Sequence, residues 1–358
     1  MKKLMKRILF TCTTLLVSIS VIAQESEPST YQLNYAVGAD LSFLKMAEDS
    51  GSVFKENGMA KPGLDIFRDH GYDWIRLRLF HTPDELPNDL EYTIELAKEA
   101  KSKGFKFLLD YHYADSWADP AKQPVPAAWQ GLELEVLRDS VYEYTKRTIE
   151  AFREAGVMPE MVQIGNEIRV GMMWPIGKLP DGWDAFAELL KAGIEGVEAG
   201  QGQEMRPLIM IHYDNGADVE GNRYFYDKIL AYNISFDIIG LSYYPWWHGN
   251  LLELRENLIS LTEHYEHDII LVETAYNWRK SEYQEEELAP YPETPEGQKD
   301  FLISVNETLL NIPSRKIKGI FWWEPAVMEN VVIRSRGIFD DEGNVLPVID
   351  VFNKYKRD

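Results

Sequence analysis

The chain has 358 residues, a formal net charge of −21 and one cysteine, Cys12. A surface this negative repels nucleic acid and anionic membranes, so neither is expected as a partner. A single cysteine allows no internal disulfide, and stability has to come from a core that 45% hydrophobic residues over this length can build.

In chain order, Lys2, Lys3, Lys6 and Arg7 precede an apolar run over 8–23 that ends in Val21, Ile22 and Ala23. That is the pattern of a signal peptide cleaved before Gln24, and the run is shorter than the roughly 20 residues of a membrane span. The mature chain is therefore expected to be secreted across the inner membrane, to the periplasm or the outside, with no membrane insertion. Cys12 lies too early in the run to carry a lipid. Residues 24–34 are expected to be a disordered leader, and 35–358 one domain.

From there, short β-rich runs alternate with longer stretches of helical period. The runs are 35–40, 74–79, 106–111, 161–167, 207–212, 238–243, 269–273 and 319–323. Between them, 90–103 places Leu90, Ile94 and Ala97 on one side and stops at Gly104, and 134–155 stops at Gly156. Thr294 followed by Pro295 reads as an N-cap and a first-turn proline for a helix reaching about Leu310. Eight strands alternating with helices predict an α/β fold, a single (β/α)8 TIM barrel with its active site at the C-terminal strand ends.

Those ends are polar. They read Gly38-Ala39-Asp40, Arg76-Leu77-Arg78, Asp110-Tyr111-His112, Gly165-Asn166-Glu167, His212, Ser242-Tyr243-Tyr244, Glu273 and Trp322-Trp323-Glu324. Alternation on the second run sends Arg76 and Arg78 into the barrel, where buried guanidinium groups need carboxylates. Asp40, Asp110, Glu167 and Glu273 are available, whether as a site or as a structural ion-pair cluster.

Glu167 and Glu273 end nearly opposite strands and face one cleft, the pairing used by retaining glycosidases, with one carboxyl attacking the anomeric carbon and one protonating the leaving oxygen. Asn166 is placed to donate to a sugar hydroxyl beside that carbon, or simply to form a turn. Tyr243 is placed to donate its phenol to Glu273, or to pack in the core. His112 and His212 raise a metal site, but the first strand supplies no histidine pair, so sugar binding is favoured and no metal is expected. No Gly-x-Ser-x-Gly elbow and no glycine-rich phosphate loop occurs.

Four segments carry a resemblance: Leu109-Asp110-Tyr111-His112-Tyr113-Ala114-Asp115-Ser116-Trp117-Ala118-Asp119-Pro120-Ala121-Lys122-Gln123 with Pro126 and Trp129; Val162-Gln163-Ile164-Gly165-Asn166-Glu167; Ser242-Tyr243-Tyr244-Pro245-Trp246-Trp247-His248-Gly249; and Val272-Glu273-Thr274-Ala275-Tyr276. With them the chain resembles the endo-β-1,4-galactanases of glycoside hydrolase family 53 over nearly its whole mature length, from Gly38 to Leu346-Pro347. The resemblance implies a retaining enzyme with Glu167 as acid/base and Glu273 as nucleophile. It places Arg78, His112, Trp117, Asn166, His212, Tyr243 and Trp323 near the reacting sugar, and makes β-1,4-galactan and galacto-oligosaccharides the substrates. Separately, a monomer without a cofactor is expected.

Two departures stand out. Some bacterial relatives carry an Asp-rich calcium loop after the nucleophile, where this chain has Glu282, Glu285, Glu286 and Glu287, so calcium is not supported. The long aromatic insertion after strand eight is also missing, which bears on product length. Other β-glycans such as mannan, xylan or β-1,3-galactan, and a non-catalytic glycan-binding role, stay open as alternatives.

Overall fold

The computed structural model describes residues 31–281, 289–328 and 333–355. The expected signal peptide and the Glu-rich stretch at 282–287 lie outside these. Of the expected leader only 31–34 is described, and this part packs: Leu33 is buried beneath the barrel, and Tyr31 sets its ring edge-on to Trp74 at 5.9 Å.

Eight parallel strands close into a barrel. They are β1 (Ala36–Asp40), β2 (Trp74–Leu79), β3 (Lys106–Tyr111), β4 (Met161–Ile164), β5 (Leu208–Tyr213), β6 (Ile238–Tyr243), β7 (Asp268–Thr274) and β8 (Ile317–Trp322). Neighbours follow chain order, and β1 closes on β8 with Ala36 opposite Gly319. The helices are α1 (Leu44–Asp49), α2 (Gly63–Asp69), α3 (Leu90–Ser102), α4 (Leu134–Glu154), α5 (Trp183–Gln201), α6 (Val219–Ala231), α7 (Leu251–His264) and α8 (Pro295–Leu310). This is the (β/α)8 barrel expected from the alternation. None of the described helices is long and apolar enough to cross a membrane.

Local chemistry sets the helix limits. Asp89 accepts from the Tyr92 N–H to open α3, and Thr294 accepts from the Gly297 N–H while Pro295 starts α8. Past α3 and α4 the chain turns at Gly104 and Gly156 with φ of +83° and +73°, which favours glycine. The inward stripes, such as Leu96, Ala97 and Ala100 on α3 and Leu137, Val141, Ile149 and Phe152 on α4, are buried against the outer faces of the strands.

Strand side chains alternate with period 2, so every second residue enters the barrel. Near the bottom the inward set is apolar: Ala36, Trp74, Leu108, Met161, Leu208, Met210, Ile238, Ile270, Val272 and Phe321 form one buried cluster. Gly38 and Gly240 make room in it, because a Cβ at Gly38 would lie 2.2 Å from the Phe321 ring and one at Gly240 2.6 Å from the Met210 sulfur. This plug carries the polar floor of the site above it.

Candidate active site

One step up each strand the inward residues change character to Asp40, Arg76, Asp110, Gln163, His212, Ser242 and Glu273, all buried. Arg76 is the hub. Its Nη1 lies 3.0 Å from Asp40 Oδ2 and 2.7 Å from Glu273 Oε1, and its Nη2 lies 2.8 Å from Asp110 Oδ2 and 2.8 Å from Asn166 Oδ1. Burial works against its charge, but Asp110, Glu273 and Asp40 outweigh that and hold the guanidinium protonated. Burial likewise pushes Asp110 up, yet Arg76 and His112 bring it below the ordinary carboxylate range.

Arg78, two residues on, pairs with Glu324, and its guanidinium lies 4.2 Å from the ring centroids of both Phe43 and Trp117. Glu324 follows β8 with a left-handed backbone (φ 49°) and is fully buried, and burial drives its carboxyl well above the ordinary range. The expectation that inward arginines need facing carboxylates holds, with Asp40, Asp110 and Glu273 among the partners and Glu324 in addition. Glu167 is not one of those ion-pair partners.

Glu167 reaches the cleft by a tight exit from β4. Gly165 has a φ of +79° and Glu167 itself sits in the left-handed region at φ 49°, ψ 53°, a conformation uncommon outside glycine that recurs at functional sites. Its Oε1 accepts from the Ser242 hydroxyl at 2.8 Å. Burial, followed by the negative charges of Glu273 and Asp214, pushes its carboxyl well above the ordinary range. Asp214 in turn makes a two-pronged pair with Arg169 at 2.7 and 2.9 Å on the rim.

Glu273 comes into the barrel through an irregularity. The ladder between β7 and β8 shifts between Leu271 and Thr274, and that between β6 and β7 shifts at Leu241/Ser242, so Ser242 faces Glu273. Val272 still fills the plug, and Glu273 directly after it meets Arg76. Burial raises this carboxyl too, while the Arg76 guanidinium and a 3.0 Å hydrogen bond from the Tyr244 phenol oppose the rise.

The cleft over this floor measures about 740 Å³, and Arg78, His112, Trp117, Asn166, Glu167, Glu273 and Trp323 all line it. His112 donates to Asp110 and accepts the Ala118 N–H. Asn166 donates to the Ala118 carbonyl at 2.9 Å. Two expected neighbours of the sugar lie elsewhere. His212 is fully buried below the cleft, between Asn166 and Ser242. Tyr243 points outward to the helices, stacks on Phe301 of α8 and donates to the Gly249 carbonyl.

The placement of Tyr243 is a correction, and its cause is the strand period. With Ile238, Gly240 and Ser242 inward, Tyr243 must face out, and Tyr244 is the phenol that reaches Glu273. Sequence reasoning also passed over Asp214, Trp247, His248 and Arg336 in the cleft wall. Asp214, Trp247 and His248 lie in loops and Arg336 ends a single 3-10 turn (Arg334–Arg336), where no period flags a side chain, although Trp247 and His248 fall inside a motif already singled out. No group of three or more acidic, histidine or cysteine side chains suited to a metal occurs among the described residues.

Comparison with known proteins agrees with this architecture. The model of glycosyl hydrolase family 53 matches residues 36–352. An uncharacterized protein in the bgaB 5' region of Niallia circulans is 40% identical over 328 residues, 87% of this chain and 89% of that one. A probable arabinogalactan endo-beta-1,4-galactanase A of Aspergillus terreus is 38% identical over 320 residues, 86% and 90% of the two chains. The solved family 53 catalytic domain of Ignisphaera aggregans superposes with a TM-score of 0.84 at 30% identity, covering 92% of this chain and 99% of that one. The chain is thus a member of glycosyl hydrolase family 53.

Proposed function

We propose that this protein is a secreted endo-β-1,4-galactanase that cleaves galactan or type I arabinogalactan with retention of configuration. Glu273 acts as the nucleophile and Glu167 as the acid/base. The observation that carries this reading is the contrast between two carboxyls in one cleft. Arg76 pairs directly with Glu273 and the Tyr244 phenol donates to it, opposing the rise that burial, Asp110 and Asp40 cause. Glu167 has no ion-pair partner among the described residues, and burial, Glu273 and Asp214 push it well above the ordinary range against the weaker pull of Ser242 and Arg76. One is suited to attack and the other to hold a proton. The galactan specificity is supported by the name of the Aspergillus terreus relative, and secretion by the sequence pattern of residues 1–23.

In the first step a carboxylate oxygen of Glu273 bonds to the anomeric carbon, the glycosidic C–O bond breaks, and the Glu167 proton passes to the departing oxygen. In the second, Glu167 takes a proton from water as that water attacks the same carbon and frees Glu273. Arg78, His112, Trp117, Asn166 and Trp323 surround the reacting sugar, and the two tryptophans, with centroids 6.1 Å apart, offer apolar faces to pyranose rings.

Three measurements test the reading. Glu273→Ala is expected to lose hydrolysis and to recover it with azide as a product of inverted configuration; a product of retained configuration removes Glu273 from the nucleophile role. Glu167→Ala is expected to lose about a hundredfold or more on galactan and far less on an aryl glycoside with a good leaving group. Wild-type protein that cuts mannan, xylan or β-1,3-galactan but not β-1,4-galactan ends the specificity claim.

A further inference from the structure

A carboxylic acid has two oxygens, and only one can present its proton to the substrate. The floor of the cleft decides which. The backbone N–H of Glu167 is directed at His212 Nδ1, 3.3 Å away, which requires that nitrogen to be bare. His212 Nδ1 is also 3.1 Å from Asn166 Oδ1, but that oxygen already accepts from Arg76 Nη2 at 2.8 Å and from Gln163 Nε2 at 3.2 Å, so both its lone pairs are engaged. Hydrogen-bond accounting therefore assigns His212 its hydrogen on Nε2.

Nε2 lies 2.9 Å from Ser242 Oγ and donates to it. Ser242 has a single hydrogen, and the remaining contact of its oxygen is Glu167 Oε1 at 2.8 Å. Three hydrogen bonds thus form a circuit that leaves Glu167 through its N–H and returns to its own carboxyl. Oε2 makes no hydrogen bond among the described residues. We infer that Ser242 and His212 are positioning residues that fill Oε1 and so fix the reactive proton of Glu167 on Oε2. This rests on the reading of Glu167 as the acid.

The surrounding charges are compatible with a neutral imidazole. Burial first, then Arg76, His112 and His248, lower His212 well below the ordinary value, against Asp110. Glu167 is faced by Glu273 from β7, Asp214 past β5 and Arg76 from β2. None of these is altered by a change at Ser242, so a shift on its removal reports the hydroxyl.

The test is the pH profile of kcat/KM on galactotetraose for wild type, Ser242→Ala and Ser242→Thr. The Ser242 hydroxyl stabilises the ionised form of Glu167, so its loss keeps the acid protonated to higher pH. Ser242→Ala is expected to move the alkaline limb upward by about one pH unit. Its kcat/KM should fall about tenfold to a hundredfold on galactotetraose and change by less than about twofold on an aryl glycoside with a good leaving group, because this constant reports the first step, where that substrate needs little proton donation. Ser242→Thr keeps the hydroxyl and should hold the limb in place.

An alkaline limb unmoved or lowered in Ser242→Ala, or a threonine variant shifted as far as alanine, overturns the inference. Nitrogen-15 spectra give an independent readout: His212, identified by its loss in His212→Gln, should be neutral with hydrogen on Nε2, and an Nδ1–H form also overturns it. If Glu167→Ala loses galactan and aryl activity alike, the acid reading itself falls. If that variant shows the split and Ser242→Ala leaves the limb in place, only the positioning role falls.

Discussion

The lower and upper halves of the barrel interior are built from the same eight strands, yet they solve opposite problems. Below, Trp74, Met161, Met210, Val272 and Phe321 exclude water by close packing, and glycines stand where rings need the space. Above, further along the same strands, Arg76, Asp40, Asp110 and Glu273 are also buried and are held by charge pairing. The plug keeps its contents whatever their ionisation. The upper layer depends on every partner, because a buried ion without its counterion is costly. The plug supplies stability and a dry base, and the polar layer supplies two carboxyls with unequal hold on a proton.

Substitution at the hub should produce the largest effect. Arg76→Met takes the guanidinium away from three buried carboxyls, leaving Asp40 only its 3.7 Å pair with Arg78, and is expected to cost about 3–5 kcal/mol in urea denaturation. Activity should fall by about a hundredfold or more, since Glu273 loses the charge that keeps it ionised. A variant of wild-type stability would show that the upper layer is not held by ion pairing.

Phe321→Ala sharpens the contrast from the other side. Emptying the plug should cost a similar amount, about 3–5 kcal/mol, with kcat per folded molecule unchanged. A large loss of kcat without loss of stability would mean that the plug sets the site geometry directly.

A smaller effect is expected from acid. Burial lowers the His248 imidazole on the cleft wall from 6.5 to about 4. A folded value below the unfolded one means that stability is fully present above about pH 6.5 and is lost as the pH falls toward 4, by at most about 3 kcal/mol. His248→Gln should flatten the stability profile in that window, and a slope as steep as wild type would assign the acid loss to other groups. His212, buried and lowered in the same sense, adds to the remaining slope.

The smallest effect on stability belongs to the rim. Trp247 is 56% exposed, so Trp247→Ala should change stability by no more than about 0.5 kcal/mol. Because it lines the cleft, KM for galacto-oligosaccharides should rise by about five- to tenfold, measured by initial rates. An unchanged KM would remove it from the sugar path.

Much of this was legible in the chain. The runs 74–79, 106–111 and 238–243 coincide with β2, β3 and β6, and Thr294-Pro295 opens α8 as its composition indicates. Arg76 and Arg78 could be assigned to the interior from alternation alone. The same rule, applied to β6, turns Tyr243 outward and Ser242 inward, so the strand period, and not position at the strand end, separates Tyr243 from Tyr244. Applied to β7, however, the rule fails: Ile270 and Val272 point inward, and only the ladder shift lets Glu273 follow them.

Periodicity and strand-end chemistry are local properties, and they determined the barrel, its polar mouth and the two glutamates of interest. Which partner each buried charge finds was decided only by the closed sheet. Arg78 meets Glu324 across 246 positions of sequence, and Glu167 meets Ser242 across 75. Ladder register and loop path bring such groups within reach, and both are set by packing of the whole barrel rather than by any segment alone.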